Sequence, residues 1–517
     1  MQFEENMSFQ SILYKTNDNH LSLSTLDIPE CFEDLNLNQV IDTITSQKNE
    51  YNLKPFFYSP LNDLDTINYR QEVFRDLESD SLLKSIKSFA EKMAIVRRYL
   101  DMIHKLNYRN HQQGWFLEAA IVYCDAIKTI SSNLSQAQIQ SQGLLGLRDY
   151  LNSYVQTSHF SDLLSKTTEV KTNLGSIQYC VIIKENRVKV RRYEAEIDYS
   201  IEVEKTFEKF KQGEVKNYRT DLIVSSGMNH VEAQIVDCVT KLFPQPFKEL
   251  EQYCEIYDKF LDETIRVFDR EIQFYISYID FIANIKEMKL DFCYPQASDQ
   301  KKKINCSKTF DIALANSMLF RKDPIICNDF FLKNPERIFI ISGPNQGGKT
   351  TFARMFGQIH YLASLGLPVP GRNAQLFLFD NIFTHFEKEE DIRNLRGKLQ
   401  DDLIRVHEVL GKATSKSIII LNEIFTSTSL SDAVYLSKQI LEKIIELDSY
   451  CICVSFIDEL STMSIKTVSM ISTIVPDNPA VRTYKIVRKP ADGLSYAKSI
   501  ADKYQLSYDS IKERIIQ

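Results

Sequence analysis

Apolar residues recur at every third or fourth position over two long stretches of the chain. Ile86, Phe89, Met93, Val96, Leu100 and Ile103 form the first; Leu250, Cys254, Tyr257, Leu261, Ile265, Phe268, Ile272, Tyr275, Ile279 and Ile282 form the second. That spacing lines one face of a helix. The second stretch begins just after Pro246, and no Gly or Pro interrupts it up to Leu290. It predicts a single helix on the order of 60 Å long, at about 1.5 Å per residue. A helix of that length either pairs with another or acts as a strut between domains. Between the helical blocks, Ser176 to Lys184, a short Glu-Asn-Arg turn and Val188 to Tyr193 predict a β-hairpin. Two short runs are apolar throughout, Arg337 to Ser342 (RIFIIS) and Ser417 to Leu421 (SIIIL). Continuous runs of this kind predict parallel strands buried on both faces.

Composition sharpens the division. Gly114, Gly143, Gly146, Gly175, Gly213 and Gly227 precede residue 340, and the other nine of the 15 glycines follow it. Long helices exclude glycine whereas phosphate loops and βα turns need it. The first part is therefore expected to be mainly helical and the last part α/β. The 517 residues, 44% hydrophobic and 25% charged, fit a globular protein of two to four domains. No apolar run approaches the roughly 20 residues that span a bilayer. The start, MQFEENMSFQ, is acidic and polar rather than a secretory signal, so a cytoplasmic protein is expected. The ten cysteines are scattered without a CxxC pair, which argues for reduced thiols and against zinc. Cys451 and Cys453, two apart, are read as sharing one face of a strand. A net charge of −7 is no footprint of general nucleic-acid affinity. The basic runs Lys301 to Lys303 and Lys189 to Arg192 are read as a solvated loop and a hairpin.

Candidate chemistry follows RIFIIS directly. Gly343-Pro344-Asn345-Gln346-Gly347-Gly348-Lys349-Thr350 is GxxxxGK[ST], a Walker A phosphate loop, between a strand and the helix-forming TFARMFGQIHYLASLG. Its glycines let backbone N–H groups turn toward a phosphate, Lys349 neutralises β/γ oxygens, and the Thr350 hydroxyl ligates Mg²⁺. The strand Ser417 to Leu421 is expected beside the first, placing Asn422 and Glu423 at the γ-phosphate. A Glu there orients or deprotonates the attacking water.

At these residues the chain resembles the MutS family of DNA-repair ATPases. The resemblance is carried by GPNQGGKTT (343–351), LGLPVPG (365–371), DNIFTHF (380–386), EEDIRNLRGKLQDDLIRVHEVL (389–410), LNEIFTSTSLSDA (421–433) and DGLSYAKSIADKYQL (492–506). Upstream, PLNDLDTINYRQEVFRDL (60–77) is similar to the opening of the family's helical core, and the long helix near 247–290 to its lever. The match is specific over about 300–517 and looser over about 50–300. It implies an α/β P-loop NTPase domain of ABC type at 301–517. Before it would come a mainly α-helical core and lever at 51–300, with a small β-hairpin insertion, and an N-terminal extension at 1–50. A clamp would be reduced to roughly 165–245.

The resemblance further implies ATP and Mg²⁺ as ligands. Gly343 to Thr351 would bind phosphates, Thr350 and Asn422 the metal, and Lys349 and Glu423 would serve hydrolysis. Ile325, with Ile326, would pack on the adenine. The active unit would be a homodimer in which a signature segment, Asn394 to Lys398, reaches the partner's nucleotide with Arg396 and Lys398. The family's mismatch readers carry a reader domain with Phe-x-Glu and then a connector. The segment before residue 51 is too short for either, and Phe3-Glu4-Glu5 matches by letters alone. DNA is therefore an expected partner without mismatch specificity; a membrane is not. Two site residues depart from the family: Asn422 replaces a metal-supporting Asp, and Phe456 stands where a His contacts the γ-phosphate. The expected function is a dimeric, DNA-associated ATPase of repair or recombination that turns over slowly. The rival readings are an ATP-gated dimeric switch with little hydrolysis that clamps a protein partner, and an ATPase of the wider ABC or SMC type. The VPG segment and DGLSYA ending argue against the last.

Overall fold

The computed structural model describes residues 9–15, 27–185, 187–194, 205–206, 228–300, 302–319, 321, 324–387, 397–475, 478–491, 508 and 511–512. Phe3 to Glu5, Asn394 to Arg396, Lys301 and the 492–506 ending lie outside the described residues, as does most of 195–227. The chain divides into two compact units: Met1–Phe9 with Ser79–Ile139 and Gly146–Asp269, and Gln10–Glu78 with Gln140–Leu145 and Arg270–Gln517.

The first unit is helical. Its helix Asp80–Ile103 covers the first predicted stretch, buries Ile86, Phe89, Met93 and Val96, and packs on the helix Arg109–Gln136. The hairpin forms where the alternation placed it, Tyr179–Lys184 pairing with Arg187–Arg192. Its register places Tyr179, Val181, Ile183, Val188, Val190 and Arg192 on one face, and Cys180, Ile182, Lys184, Arg187, Lys189 and Arg191 on the other.

The single long helix expected over 247–290 is two helices, Pro244–Ile256 and Glu263–Lys286. Between them Phe260 turns inward and is only 2% exposed, with its ring edge-on to Phe116 at 5.3 Å and to Tyr123 at 5.4 Å. Asp262 then opens the next helix, accepting the Ile265 N–H at 2.9 Å and the Tyr150 hydroxyl at 2.8 Å. Burying Phe260 and capping with Asp262 outweigh the hydrogen bonds of one continuous helix.

The second unit is built on a six-stranded sheet. Its order is Ile382–Phe386, Ile418–Asn422, Tyr450–Val454, Ile338–Ser342, Thr467–Val475 and Asn478–Arg488. The first five run parallel and only the last is antiparallel. The strand Ile418–Asn422 therefore does not lie beside Ile338–Ser342, as expected; Tyr450–Val454 intervenes. That strand is itself buried throughout and fully apolar, so it competes for the central place on equal terms. Cys451 and Cys453 do share a face, buried with Ile338, Ile340, Ile419, Leu421 and the helix residues Leu441 and Ile444. The opposite face packs Phe339 on Phe352 and Phe356 of the helix Lys349–Ser364. No helix among the described residues is long and apolar enough to cross a membrane.

The N-terminal residues of this unit are held by buried polar groups. Glu271 accepts from the Ser11 hydroxyl at 2.8–2.9 Å and from the Ile12 N–H at 2.9 Å. Arg70 donates to the carbonyls of Leu13 and Leu365, each at 3.0 Å, and the Tyr275 hydroxyl donates to Ile12 O at 2.6 Å. Burial raises the Glu271 carboxyl from the usual 4.5 to about 7, although Ser11, the Ile12 amide and Arg70 all pull it down. A value raised in the fold stabilises the protein fully below the unfolded pKa, and that contribution disappears as pH rises to the folded one. Glu271→Gln cannot ionise. Thermal melts across about pH 5 to about pH 7 should therefore show the variant gaining on the wild type as pH rises. A difference in melting temperature that stays constant with pH contradicts this account of Glu271.

Candidate functional site

The loop between Ile338–Ser342 and the helix Lys349–Ser364 needs glycine for steric reasons. Gly343 has φ +119°, and a side chain on it would meet the Ser472 carbonyl at 2.9 Å. A Cβ on Gly347 would lie 2.2 Å from the Ser472 hydroxyl and 2.9 Å from Pro344 O. Ser472, fully buried on the neighbouring strand Thr467–Val475, donates its hydroxyl to Gly347 O at 2.6 Å. The sheet thus presses the loop into shape from one side.

Lys349 folds back into this loop. Its Nζ donates to Gly343 O at 2.9 Å, to Pro344 O at 3.2 Å and to Asn345 Oδ1 at 3.4 Å. It lies 4.0 Å from Glu423 Oε1 and 4.4 Å from the centre of the Phe456 ring. Burial lowers the lysine's proton affinity; Glu423 partly restores it and Arg482 lowers it further. Burial likewise raises the Glu423 carboxyl, Lys349 opposes the rise and Glu387 adds to it. Thr350 Oγ1 donates to Asn422 Oδ1 at 3.1 Å. Although one strand separates their elements, the carboxyl ends of the parallel strands line up, so loop and Asn422-Glu423 face each other.

Beside the loop opens a cleft of about 620 Å³, lined by Asn345 to Phe352, Glu423, Leu314, Met318, Ile325, Ile326 and Tyr484. The structure therefore brings the phosphate-loop residues, Asn422, Glu423 and Ile325 into one neighbourhood. Lys398, expected to act on a partner's nucleotide, is paired with Glu387 of its own chain, which also accepts from Thr426 Oγ1 at 3.2 Å. Sequence reasoning missed Ser472, Arg482 and Tyr484. Each reaches the loop through strand pairing from more than a hundred positions away, and none belongs to a local motif. The loop's carbonyl-held ammonium and glycine cradle suit a phosphate chain, and two neutral oxygen donors, Thr350 and Asn422, suit a hard divalent cation.

A strand–loop–helix of this form, opposed by a buried strand ending in Asn-Glu, defines a P-loop nucleotide-binding domain. Residues 339–513 match the family model of MutS domain V, an ATPase domain. Over these residues the chain is similar to MutS proteins.

Gly347→Ala should destabilise the protein even without ligand. Chemical denaturation is expected to show a loss of about 1–3 kcal/mol, the usual cost of overpacking a rigid site. An unchanged unfolding midpoint would mean that Ser472 yields without cost.

Proposed function

We propose that this chain is a MutS-like ATPase that acts as a homodimer on DNA, hydrolyses ATP slowly and does not read mismatches directly. The observation that carries the reading is the convergence of the Lys349 ammonium, the Thr350–Asn422 pair and Glu423 beside the glycine cradle. In this reading the loop from Gly343 to Thr351 wraps the phosphates. Lys349 exchanges the carbonyls of Gly343 and Pro344 for phosphate oxygens, a stronger, charge-assisted set of acceptors. Glu423 orients and deprotonates the attacking water. Ile325 and Tyr484 flank the base in the cleft. Thr350 and Asn422 would hold Mg²⁺, which when bound neutralises charge on the phosphate oxygens. Asn422 offers the metal an oxygen but no charge, which is the reason to expect slow turnover. DNA association and dimerisation rest on the likeness of residues 339–513 to MutS domain V.

Phe456 favours a second reading, an ATP-gated switch with little hydrolysis. Its ring covers Lys349 at 4.4 Å, where it can neither accept from water nor donate to a phosphate. Purified protein with Mg-ATP separates the two, because multiple turnovers exclude the switch.

Glu423→Gln should retain ATP and reduce turnover by about a hundredfold or more, the usual contribution of a general base. Turnover equal to wild type sinks the assignment. Asn422→Asp should leave ATP affinity similar and raise Mg²⁺-dependent turnover; a fall instead would assign Asn422 a task that a carboxylate cannot perform.

A further inference from the structure

The outermost strand of the six-stranded sheet, Asn478–Arg488, carries an irregularity beside the phosphate loop. Its pairing with Thr467–Val475 slips: Ser472 faces Ile486, yet Ile474 faces Arg482 and Val475 faces Asn478. Within the slip Tyr484 adopts φ +57°, a conformation that residues other than glycine, Asn and Asp rarely take. Thr483 secures the distortion, its hydroxyl donating to Thr473 O at 2.9 Å. Bulges of this kind re-aim side chains and are over-represented next to active sites.

This one points two side chains at the loop. The Tyr484 side chain lies 3.8 Å from where a Cβ would stand on Gly348. Arg482 Nε donates to Asn345 O at 3.2 Å. The Asn345 side chain is at the same time 3.4 Å from Lys349 Nζ. One loop residue is thus flanked by two cations. Glu423 Oε1 lies 4.0 Å from Lys349 Nζ, and Asn422 contributes no negative charge. Like charges assembled around a glycine cradle fit an anion of more than one charge.

We propose that Arg482 is a second phosphate-binding cation of this site, supplied by the same chain and acting at the terminal-phosphate end of the nucleotide. The end is set by Asn345, which Arg482 shares with Lys349, the residue that meets β/γ oxygens in loops of this type. Arg482 thereby lets the site prefer a nucleoside triphosphate over a diphosphate. The inference rests on the nucleotide-site reading above.

Its test is calorimetric titration of the full chain and of Arg482→Gln and Arg482→Lys with ATP and with ADP. Arg482→Gln should weaken ATP about tenfold or more, the loss expected of a charge-assisted contact, and leave ADP within about threefold. Arg482→Lys, which keeps the charge, should restore ATP binding to within about threefold of wild type. Equal weakening of both nucleotides would assign Arg482 only a bracing role through Asn345 O and overturn the proposal, as would unchanged ATP affinity. Because the ATP-to-ADP ratio is taken within each variant, partial unfolding, which lowers both alike, does not imitate the expected result. Wild-type protein that binds neither nucleotide would overturn the underlying site reading itself.

Discussion

The site depends on one constraint: five parallel strands end along a common line. Register brings Asn422 level with Val454 and Phe386 level with Asn422, so chemistry carried on separate segments arrives at one edge. Ser472 sits on the next strand of the same sheet and bonds Gly347 O. A slip of one residue in any of these pairings would turn Asn422 or Ser472 to the opposite face, because side chains alternate along a strand. The isoleucine, valine and cysteine runs of these strands are buried throughout and anchor the sheet in the interior. The hydrophobic interior of the sheet is therefore what holds the polar edge in place.

A few charged side chains set the electrostatics of that edge. Lys349 and Arg482 are cationic, Glu423 is the close carboxylate, and Glu387 stands one strand further away, held by Lys398 and Thr426. On the proposed reading, Asn422 in place of a metal-supporting Asp would shift the balance toward holding the nucleotide and away from holding the cation. Phe456 acts in the same sense, since its ring contacts Lys349 without offering an acceptor to water. Both residues lie outside the glycine cradle, and on the proposed reading both act on the hydrolysing side. On the reading proposed above, such a site binds better than it cleaves.

The parts legible in the sequence were those governed by local rules. The phosphate loop, the buried strands and the hairpin each have a signature contained within about ten residues. The break near Phe260 escaped because an inward-turning aromatic keeps the helical spacing of apolar residues even where the backbone leaves the helix. The strand order escaped because all three central strands are equally apolar, and nothing local says which lies in the middle. Arg482 and Tyr484 escaped because a bulge aims them, and the bulge exists only once its strand has a partner. What the sequence conceals is thus pairing between distant segments rather than the identity of the elements.

Distant pairing also ties the N-terminal residues to the site. Asp34 O accepts from Arg354 Nε at 2.9 Å, and Leu35 O accepts from Gln358 Nε2 at 2.9 Å; both donors lie on the phosphate-loop helix. The Asp34 carboxylate accepts from the Thr384 hydroxyl at 2.7 Å, on the strand that leads to Glu387. Gln358 further bonds the Asp311 carboxylate and the Ile312 N–H, both at the start of the helix whose Leu314 and Met318 line the cleft. Buried hydrogen bonds of this kind are costly to leave unmade. The phosphate-loop helix therefore cannot shift against the strand or the cleft wall without breaking several of them. A displacement of this helix alone would cost its hydrogen bonds to Asp34, Leu35, Asp311 and Ile312.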